Sequence, residues 1–227
     1  MTVEGLMTIA LPAGRMLEEA ADALNGAGYD CPYDKAGRKL IFEGRRSRYI
    51  ISRPSDVPVY VARGAADLGI VGKDGLSESG EEVYELMDLG FGKCRFVLAA
   101  PVEKAAEYRR TLEEEGRIGR LRIATKFPSI TREFAKDRIL RPEIIELKGA
   151  VELAASVGLA DAIVDIVASG LTLKENGLEI VAEISKSSAR LIASRSSYGL
   201  RAQEIAEFCV MMARPSSAED AGEGAVR

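Results

Sequence analysis

The sequence contains no histidine, and its three cysteines show no CxxC spacing. The absence of histidine excludes Ser-His-Asp and Cys-His catalysis, histidine-ligated metal sites and the most common general base. Any chemistry must therefore use carboxylates, lysines, arginines, backbone dipoles or a metal held by oxygen ligands. Cys31, Cys94 and Cys209 predict neither a disulfide framework nor a zinc site, and we interpret them as buried thiols in a reducing cytoplasm.

Long apolar runs and an excess of positive charge are also missing. No apolar stretch approaches the roughly 20 residues that a membrane span needs. The first five residues lack the basic start of a signal peptide and include Glu4. The formal net charge of −4 argues against general nucleic-acid binding. With 47% hydrophobic and 29% charged residues over 227 positions, the composition predicts a cytoplasmic globular protein of one large or two small domains.

Strand-like and helix-like segments alternate along the chain as far as residue 214, which predicts an α/β fold with largely parallel, mixed sheets. A crossover after residue 90 and the return of strands near residue 179 indicate two lobes with a ligand cleft between them. The expected parts are lobe I from 1–90 and 179–214, lobe II from 91–178, and a disordered tail, small and acidic in composition, from 215–227.

The most informative stretch is ADAIVDIVASGLTLKENGL, residues 160–178. An apolar strand ends there in Asp165, and small residues from Ser169 to Thr172 form a turn whose backbone amides could face an anion. A helix-like segment follows, so these amides would lie at a helix N-terminus. Asp165 is suited to accept hydrogen bonds from hydroxyls, so the stretch fits a ribose 5-phosphate. An ordinary βα turn with a serine N-cap explains the same residues.

Arginines mark the first part of the chain. Arg15 lies where the first helix begins, so its side chain could reach a cleft at the carboxyl end of the first strand. Arg38 precedes a short strand at 39–43, and 45–53 adds four more arginines in nine residues. This density suggests an anion site, and a solvated basic face explains it equally.

Four strings of the sequence strongly resemble one family. They are ISRPSDVPVYVARGAADLGIVGKD, DLGFGKCRFVLAAP, LRIATKFPSITREF and ELKGAVELAASVGLADAIVDIVASGLTLKENGL. The family is the short form of ATP phosphoribosyltransferase, the catalytic subunit that opens histidine biosynthesis. The resemblance covers about 6–203, and its signature from Glu152 to Leu173 is long and specific.

The resemblance implies a two-lobed fold like that of the type II periplasmic binding proteins, with ATP and phosphoribosyl pyrophosphate meeting in the cleft. The products would be N1-(5-phosphoribosyl)-ATP and pyrophosphate, with Mg²⁺ carried by the substrate phosphates and no metal site on the protein. The resemblance also implies a homodimeric core and a separate regulatory subunit that looks like histidyl-tRNA synthetase. It implies no nucleic-acid or membrane partner.

The family's functional residues can be carried over motif by motif. Its arginines in the GR turn and before the KLIF strand fall on Arg15 and Arg38, which would stabilise the departing pyrophosphate or bind the triphosphate of ATP. Permanently charged arginine suits this role, because adenine N1 needs no base and the barrier lies in the departure of pyrophosphate. The residues expected to bind phosphoribosyl pyrophosphate are Glu152, Asp165, Ile166, Val167, Ala168, Ser169, Gly170, Leu171 and Thr172. Secondary candidates for ATP or phosphate binding are Arg53, Ser55, Asp56, Lys73 and Asp74, and Asp56 alternatively caps the helix after Pro54.

One departure from the family pattern is the PAGR turn, where the family usually has PKGR, so Ala13 lacks a charge near Arg15. Two other functions fit parts of the chain. A non-enzymatic binding or sensor module could use the same fold, but the intact turn and the absence of an export signal argue against it. A type I phosphoribosyltransferase acting on another base fits the D-x-x-x-S-G-x-T turn, but Ile166 stands where those enzymes usually have a second acid.

Overall fold

The computed structural model describes residues 5–35, 37–113, 121–137, 141–167 and 170–214. The described chain forms two compact units. Unit 1 is taken from Met1–Gly92 and Ser188–Arg227, and unit 2 is Lys93–Ser187. In the described segments, no helix has the length and apolar character needed to cross a membrane.

Strands and helices alternate through both units. The strands are β1 (Met7–Pro12), β2 (Ile41–Glu43), β3 (Ser47–Ser52), β4 (Leu68–Gly72), β5 (Tyr84–Asp88), β6 (Cys94–Pro101), β7 (Arg122–Thr125), β8 (Glu143–Glu146), β9 (Ala162–Val167), β10 (Leu178–Ser187) and β11 (Ala189–Ala193). The helices are α1 (Arg15–Gly26), α2 (Val57–Ala62), α3 (Lys73–Ser79), α4 (Val102–Glu113), α5 (Pro128–Asp137), α6 (Val151–Ser156), α7 (Leu171–Glu175), α8 (Arg195–Leu200) and α9 (Ala202–Met212).

Unit 1 is built on a six-stranded sheet in the order β2-β3-β1-β4-β11-β5. The strands β3, β1 and β4 are parallel neighbours, whereas β2, β11 and β5 pair antiparallel. Ile9 and Leu11 of β1 pack on the side of α1 and α9, and Ala10 between them packs against Val57 and Val61 of α2. Apart from Thr8, the strand is apolar, because helices cover both of its faces.

Unit 2 repeats this plan with a five-stranded sheet in the order β10-β6-β9-β7-β8. The strands β9, β7 and β8 are parallel, and β6 pairs antiparallel with β9 and with β10. Val164 faces the side covered by α4 and α5, while Ile163 faces the side covered by α6 and α7. Each sheet is therefore mixed, with the parallel pairing concentrated in three strands, and the α/β class agrees with the sequence.

The arginine-rich segment 45–53 contains a strand, β3, that the sequence pattern did not predict. Ser47 and Tyr49 are buried, and Arg48 between them is exposed, which is the alternation of a strand with one covered face. All four arginines of the segment are exposed, so a solvated basic face describes them well.

Two other boundaries differ from the sequence analysis. The chain returns to unit 1 at Ser188 instead of near residue 179, because β10 pairs with β6 from Leu178 to Ser187 and so belongs to the sheet of unit 2. The sequence pattern from about Tyr198 to Arg214 predicts one final helix, whereas the structure has two helices, α8 and α9, with Arg201 between them. The expected tail at 215–227 lies outside the described residues.

Candidate functional site

The candidate residues of unit 1 lie along one edge of its sheet. Because β3, β1 and β4 are parallel, their carboxyl ends meet at the same edge. Arg15 begins the helix after β1, Arg53 follows β3, and Lys73 follows β4. The backbone N–H of Ala13 donates to the carbonyl oxygen of Ser52 at 2.7 Å, which joins the ends of β1 and β3.

Arg38 lies at the same edge, although it comes from an antiparallel connection. The N–H of Ile51 donates to the carbonyl oxygen of Leu40 at 2.8 Å, so the segment that precedes β2 runs beside the end of β3. Arg15, Arg38 and Arg53 are exposed. Their guanidinium groups form no hydrogen bond or ion pair with any other residue that the structure describes, so the edge presents three uncommitted cations.

The remaining candidates of unit 1 have local partners. The Lys73 ammonium pairs with Glu85, and the Asp74 carboxylate folds back so closely that a Cβ at position 72 would lie 2.1 Å from its Oδ1. A larger residue at position 72 would therefore fit only if the Asp74 side chain moved. The Lys73 ion pair links the start of α3 to β5.

Ser55 and Asp56 interact with each other before α2. The Ser55 hydroxyl donates to Asp56 Oδ1 at 3.0 Å. Asp56 occupies the N-cap position of α2, but its side chain makes no capping hydrogen bond. Asp56 therefore stands at the position of a helix cap, but its side chain does not cap the helix.

Unit 2 contains a cavity of about 260 Å³ at the carboxyl end of β9. Its lining residues are Lys126, Glu152, Asp165, Ile166, Val167, Gly170, Thr172 and Leu173. Six of the nine residues predicted to bind phosphoribosyl pyrophosphate are thus gathered around one space. Leu171 is exposed and does not line the cavity, and Ala168 and Ser169 lie outside the described residues.

Local packing explains why these residues converge. Helix α6 buries Val151, Ala154 and Ala155 against the sheet, and Glu152 occupies the first turn of this helix beside the cavity. Gly170 has φ +82°, and a Cβ there would meet its nearest neighbour, Val167, at an ordinary 3.9 Å. Backbone conformation, and not lack of space, therefore requires glycine at this turn.

Helix α7, which follows the turn, spans only five residues. Its dipole is correspondingly small, so the anion-binding capacity expected from the sequence depends on individual first-turn N–H groups and nearby side chains. Thr172, in the first turn of α7, is one of the residues that line the cavity.

Asp165 is the most perturbed carboxylate of the cavity. Burial raises its pKa above the ordinary value, and the Glu152 carboxylate raises it further, while a hydrogen bond from Ile166 N–H and the Lys126 ammonium oppose the shift. The Ile166 N–H donates to Asp165 Oδ1 at 2.8 Å. One carboxylate oxygen is thereby oriented by the backbone, and the other can accept a hydrogen bond from a ligand hydroxyl.

Lys126 lines the cavity but was not among the residues predicted from sequence. In the parallel ladder of β7 and β9, Thr125 stands opposite Val164, so the residues that follow each of them, Lys126 and Asp165, are neighbours. The arrangement places two carboxylates, one ammonium and the described residues of the turn, Gly170 and Thr172, around one space. Carboxylates can hold a diol, and an ammonium with N–H donors can hold a phosphate.

Comparisons with known proteins agree with this chemistry. A family model described as ATP phosphoribosyltransferase matches residues 53–214. An ATP phosphoribosyltransferase of Rubrobacter xylanophilus is 49% identical over 200 residues, which cover 88% of this chain and 91% of that protein. The structure of the ATP phosphoribosyl transferase (HisG:HisZ) complex from Thermotoga maritima contains a chain with 33% identity and a TM-score of 0.75, covering 91% of this chain and 96% of that chain.

A more distant likeness concerns the fold alone. The substrate-binding protein of an amino acid ABC transporter is 15% identical, with a TM-score of 0.51 and coverage of 91% of this chain and 97% of that chain. This likeness confirms the two-lobed, type II periplasmic-binding-protein-like architecture expected from the sequence.

Proposed function

The chain belongs to the ATP phosphoribosyltransferase family, and from this premise we propose which of its residues perform each part of the reaction. The enzyme transfers the 5-phosphoribosyl group of phosphoribosyl pyrophosphate to N1 of ATP and releases pyrophosphate, the first step of histidine biosynthesis. The match to a chain of the Thermotoga HisG:HisZ complex over nearly its whole length fits the short form of the family. The observation that carries the residue assignment is the unit 2 cavity, which gathers most of the predicted sugar-phosphate ligands.

In this proposal the unit 2 cavity binds the phosphoribosyl group. Asp165 and Glu152 accept hydrogen bonds from the ribose hydroxyls, since both carboxylates line the cavity and an ionised carboxylate is an acceptor only. The turn from Ile166 through Ala168 and Ser169 to Thr172 holds the 5-phosphate with backbone N–H groups and hydroxyls. Gly170 supports this assignment because its positive φ lets the backbone turn sharply between β9 and α7.

The bond-breaking electrostatics are assigned to Arg15 and Arg38. As pyrophosphate departs, negative charge accumulates on its oxygens, and a fixed guanidinium aimed at that charge stabilises the transition state by about 3 to 4 kcal/mol. Both arginines are exposed and uncommitted within the described structure, as a ligand-binding cation should be. Arg53 shares these properties and is proposed to bind ATP phosphates, with Ser55, Asp56, Lys73 and Asp74 as further phosphate or ATP contacts.

We propose Mg²⁺ as the divalent ion of the reaction, carried by the pyrophosphate group. The residues present fit this assignment, because the carboxylate oxygens of Glu152 and Asp165, which line the cavity, are hard donors of the kind that Mg²⁺ prefers. When bound, the ion would neutralise part of the charge of the leaving group. The protein's own contribution is to hold the ribose hydroxyls and to present arginines to the phosphates.

The partners are also proposed from the family. The Thermotoga relative is in a HisG:HisZ complex, so we propose that this chain assembles with a regulatory subunit that resembles histidyl-tRNA synthetase, around a homodimeric catalytic core. Cys31, Cys94 and Cys209 form no disulfide within the described structure, which supports a cytoplasmic location because cytoplasmic proteins are kept reduced.

A direct assay tests the proposal. Purified protein is mixed with ATP, phosphoribosyl pyrophosphate and Mg²⁺, with and without the candidate regulatory subunit, and phosphoribosyl-ATP is followed by its absorbance. We expect product formation with both substrates and none when either is omitted. Absence of product with and without the partner would contradict the enzymatic function and favour a binding protein of the same fold.

A further inference from the structure

We propose that Lys126 is a substrate-binding and positioning residue of this enzyme, whose ammonium contacts the phosphate oxygens of phosphoribosyl pyrophosphate and acts on the neighbouring Asp165 carboxylate. The inference rests on the proposed function of the unit 2 cavity. It assigns a cationic ligand to a site whose predicted residues are otherwise carboxylates and uncharged groups.

The backbone on both sides of Lys126 is held by one buried hydroxyl. Thr125 Oγ1 donates to the carbonyl oxygen of Val164 at 2.8 Å and accepts a hydrogen bond from the N–H of Phe127 at 2.9 Å. Thr125 is fully buried. Lys126 is therefore presented from a rigid strand end, directly beside the strand that carries Asp165.

The cavity needs a positive charge if it is to bind a phosphate. Glu152 and Asp165 are its two acids, and Lys126 is the one basic residue among the described residues that line it. A phosphate monoester carries a charge of about −1.5 to −2 near pH 7, and it would be repelled by two carboxylates without a counter-charge. The Lys126 ammonium supplies that counter-charge in the lining of the cavity.

Lys126 is also available for a ligand. It is exposed, and within the described part of the chain its ammonium forms no hydrogen bond or ion pair. Two other basic residues of unit 2 have acidic partners: Arg122 pairs with Asp161, and Lys148, which follows the neighbouring strand β8, pairs with Glu146. Of Arg122, Lys126 and Lys148, Lys126 is the one without an acidic partner among the described residues.

The second half of the proposal concerns the protonation of Asp165. The elements packed around this carboxylate contribute Lys126 from the end of β7, Glu152 from α6, and the uncharged Val97 from β6. Burial and Glu152 raise the pKa of Asp165, and Lys126 acts in the opposite direction. Loss of the ammonium would let the pKa rise further, so Asp165 would begin to lose its charge at a higher pH.

Two substitutions test the role. Lys126→Met removes the charge and keeps an unbranched chain, whereas Lys126→Arg keeps the charge. We expect Lys126→Met to raise the KM for phosphoribosyl pyrophosphate about 10- to 100-fold, the range for loss of a hydrogen bond to a charged group, with the KM for ATP changed less than about 2-fold. The acidic limb of the kcat/KM profile should move to higher pH, and Lys126→Arg should restore most of both properties.

Lys148→Met is the matched control, since its side chain is 93% exposed at the end of the adjacent parallel strand. This variant should behave as the wild type. An active wild type in which Lys126→Met changes neither the KM for phosphoribosyl pyrophosphate nor the acidic limb would overturn the role of Lys126 alone. An inactive wild type would overturn the proposed function and this inference together. If Lys126→Met fails to fold, failure of Lys126→Arg to retain the wild-type KM would likewise contradict the proposal.

Discussion

The hydroxyl of Thr125 offers the sharpest test of how the unit 2 site is held together. We expect Thr125→Val, which preserves the shape of the side chain, to destabilise unit 2 and to weaken binding of phosphoribosyl pyrophosphate. The hydroxyl joins β7 to β9 and fixes the first residues of the connection to α5 through its two hydrogen bonds. Valine fills the same space and can make neither bond.

The magnitude follows from the two groups that lose their partner. The carbonyl oxygen of Val164 lies in the buried part of the sheet, and the N–H of Phe127 belongs to a half-buried residue. Leaving one buried polar group unpaired costs about 1 to 3 kcal/mol, and we take the lower end for Phe127, so Thr125→Val should cost about 2 to 4 kcal/mol. Thr125→Ser keeps the hydroxyl and loses one methyl group, which costs about 1 kcal/mol.

Urea unfolding followed by circular dichroism measures both variants against the wild type. At an m-value of about 2 kcal/mol/M, the midpoint of Thr125→Val should fall about 1 to 2 M, and that of Thr125→Ser about 0.5 M. The KM for phosphoribosyl pyrophosphate should rise in Thr125→Val and remain near the wild-type value in Thr125→Ser. Equal stability of the two variants would refute the reasoning, because the hydroxyl would then contribute nothing that a methyl group does not.

Three further predictions concern Arg38, Ala13 and the ion pair between Arg122 and Asp161. Arg38→Ala should lower kcat by about 10²- to 10³-fold with little change in the KM for ATP, and unchanged turnover in steady-state assays would remove Arg38 from the leaving group. Ala13→Lys restores the charge that the family usually has in this turn, and it should lower the KM of a phosphate-bearing substrate several-fold, more at low salt than at high salt; a salt-independent KM equal to that of wild type would contradict this. Arg122 donates to both oxygens of Asp161, at 3.1 and 2.8 Å, and lowers the pKa of this acid. The stabilisation should therefore be present above the unfolded pKa of Asp161, about 4, and should be lost as the pH falls through the lower folded pKa. The difference in urea midpoint between the wild type and Asp161→Asn should accordingly shrink from pH 7 to pH 3. A difference that stays constant over this range would exclude the ion pair as its source.

Continuous apolar patterns allowed the buried strands to be predicted closely. The string CRFVLAAP corresponds to β6, Cys94–Pro101, because a strand covered on both faces must be apolar at nearly every position. The half-exposed strand β3 was missed, since its outward arginines hide the alternation that Ser47 and Tyr49 show only once their burial is known. The local sequence pattern thus identifies a strand when both faces of the strand are buried. It does not identify one reliably when one face carries basic side chains.

The candidate site could be predicted in part, because several of its residues lie close together along the chain. Glu152, Asp165, Gly170 and Thr172 belong to one continuous motif, so their proximity is largely a consequence of the local strand, turn and helix. Lys126 is 39 positions away from Asp165 along the chain, and only its place after a strand could have drawn attention to it. Motif residues can be found by reading along the chain, but the residues opposite them cannot.

The sequence by itself restricted the kind of chemistry and located the motif that we propose to bind the sugar phosphate. A chain without histidine must use fixed charges and backbone donors, and residues 160–178 carry the strand, acid and glycine turn that such a site requires. Only the tertiary structure decided that Lys126 stands beside Asp165, that Lys73 is paired with Glu85, and that β10 belongs to unit 2. The physical reason is that a turn is set by the conformational preferences of adjacent residues, whereas strand register and ion pairing are set by competition among segments distant along the chain.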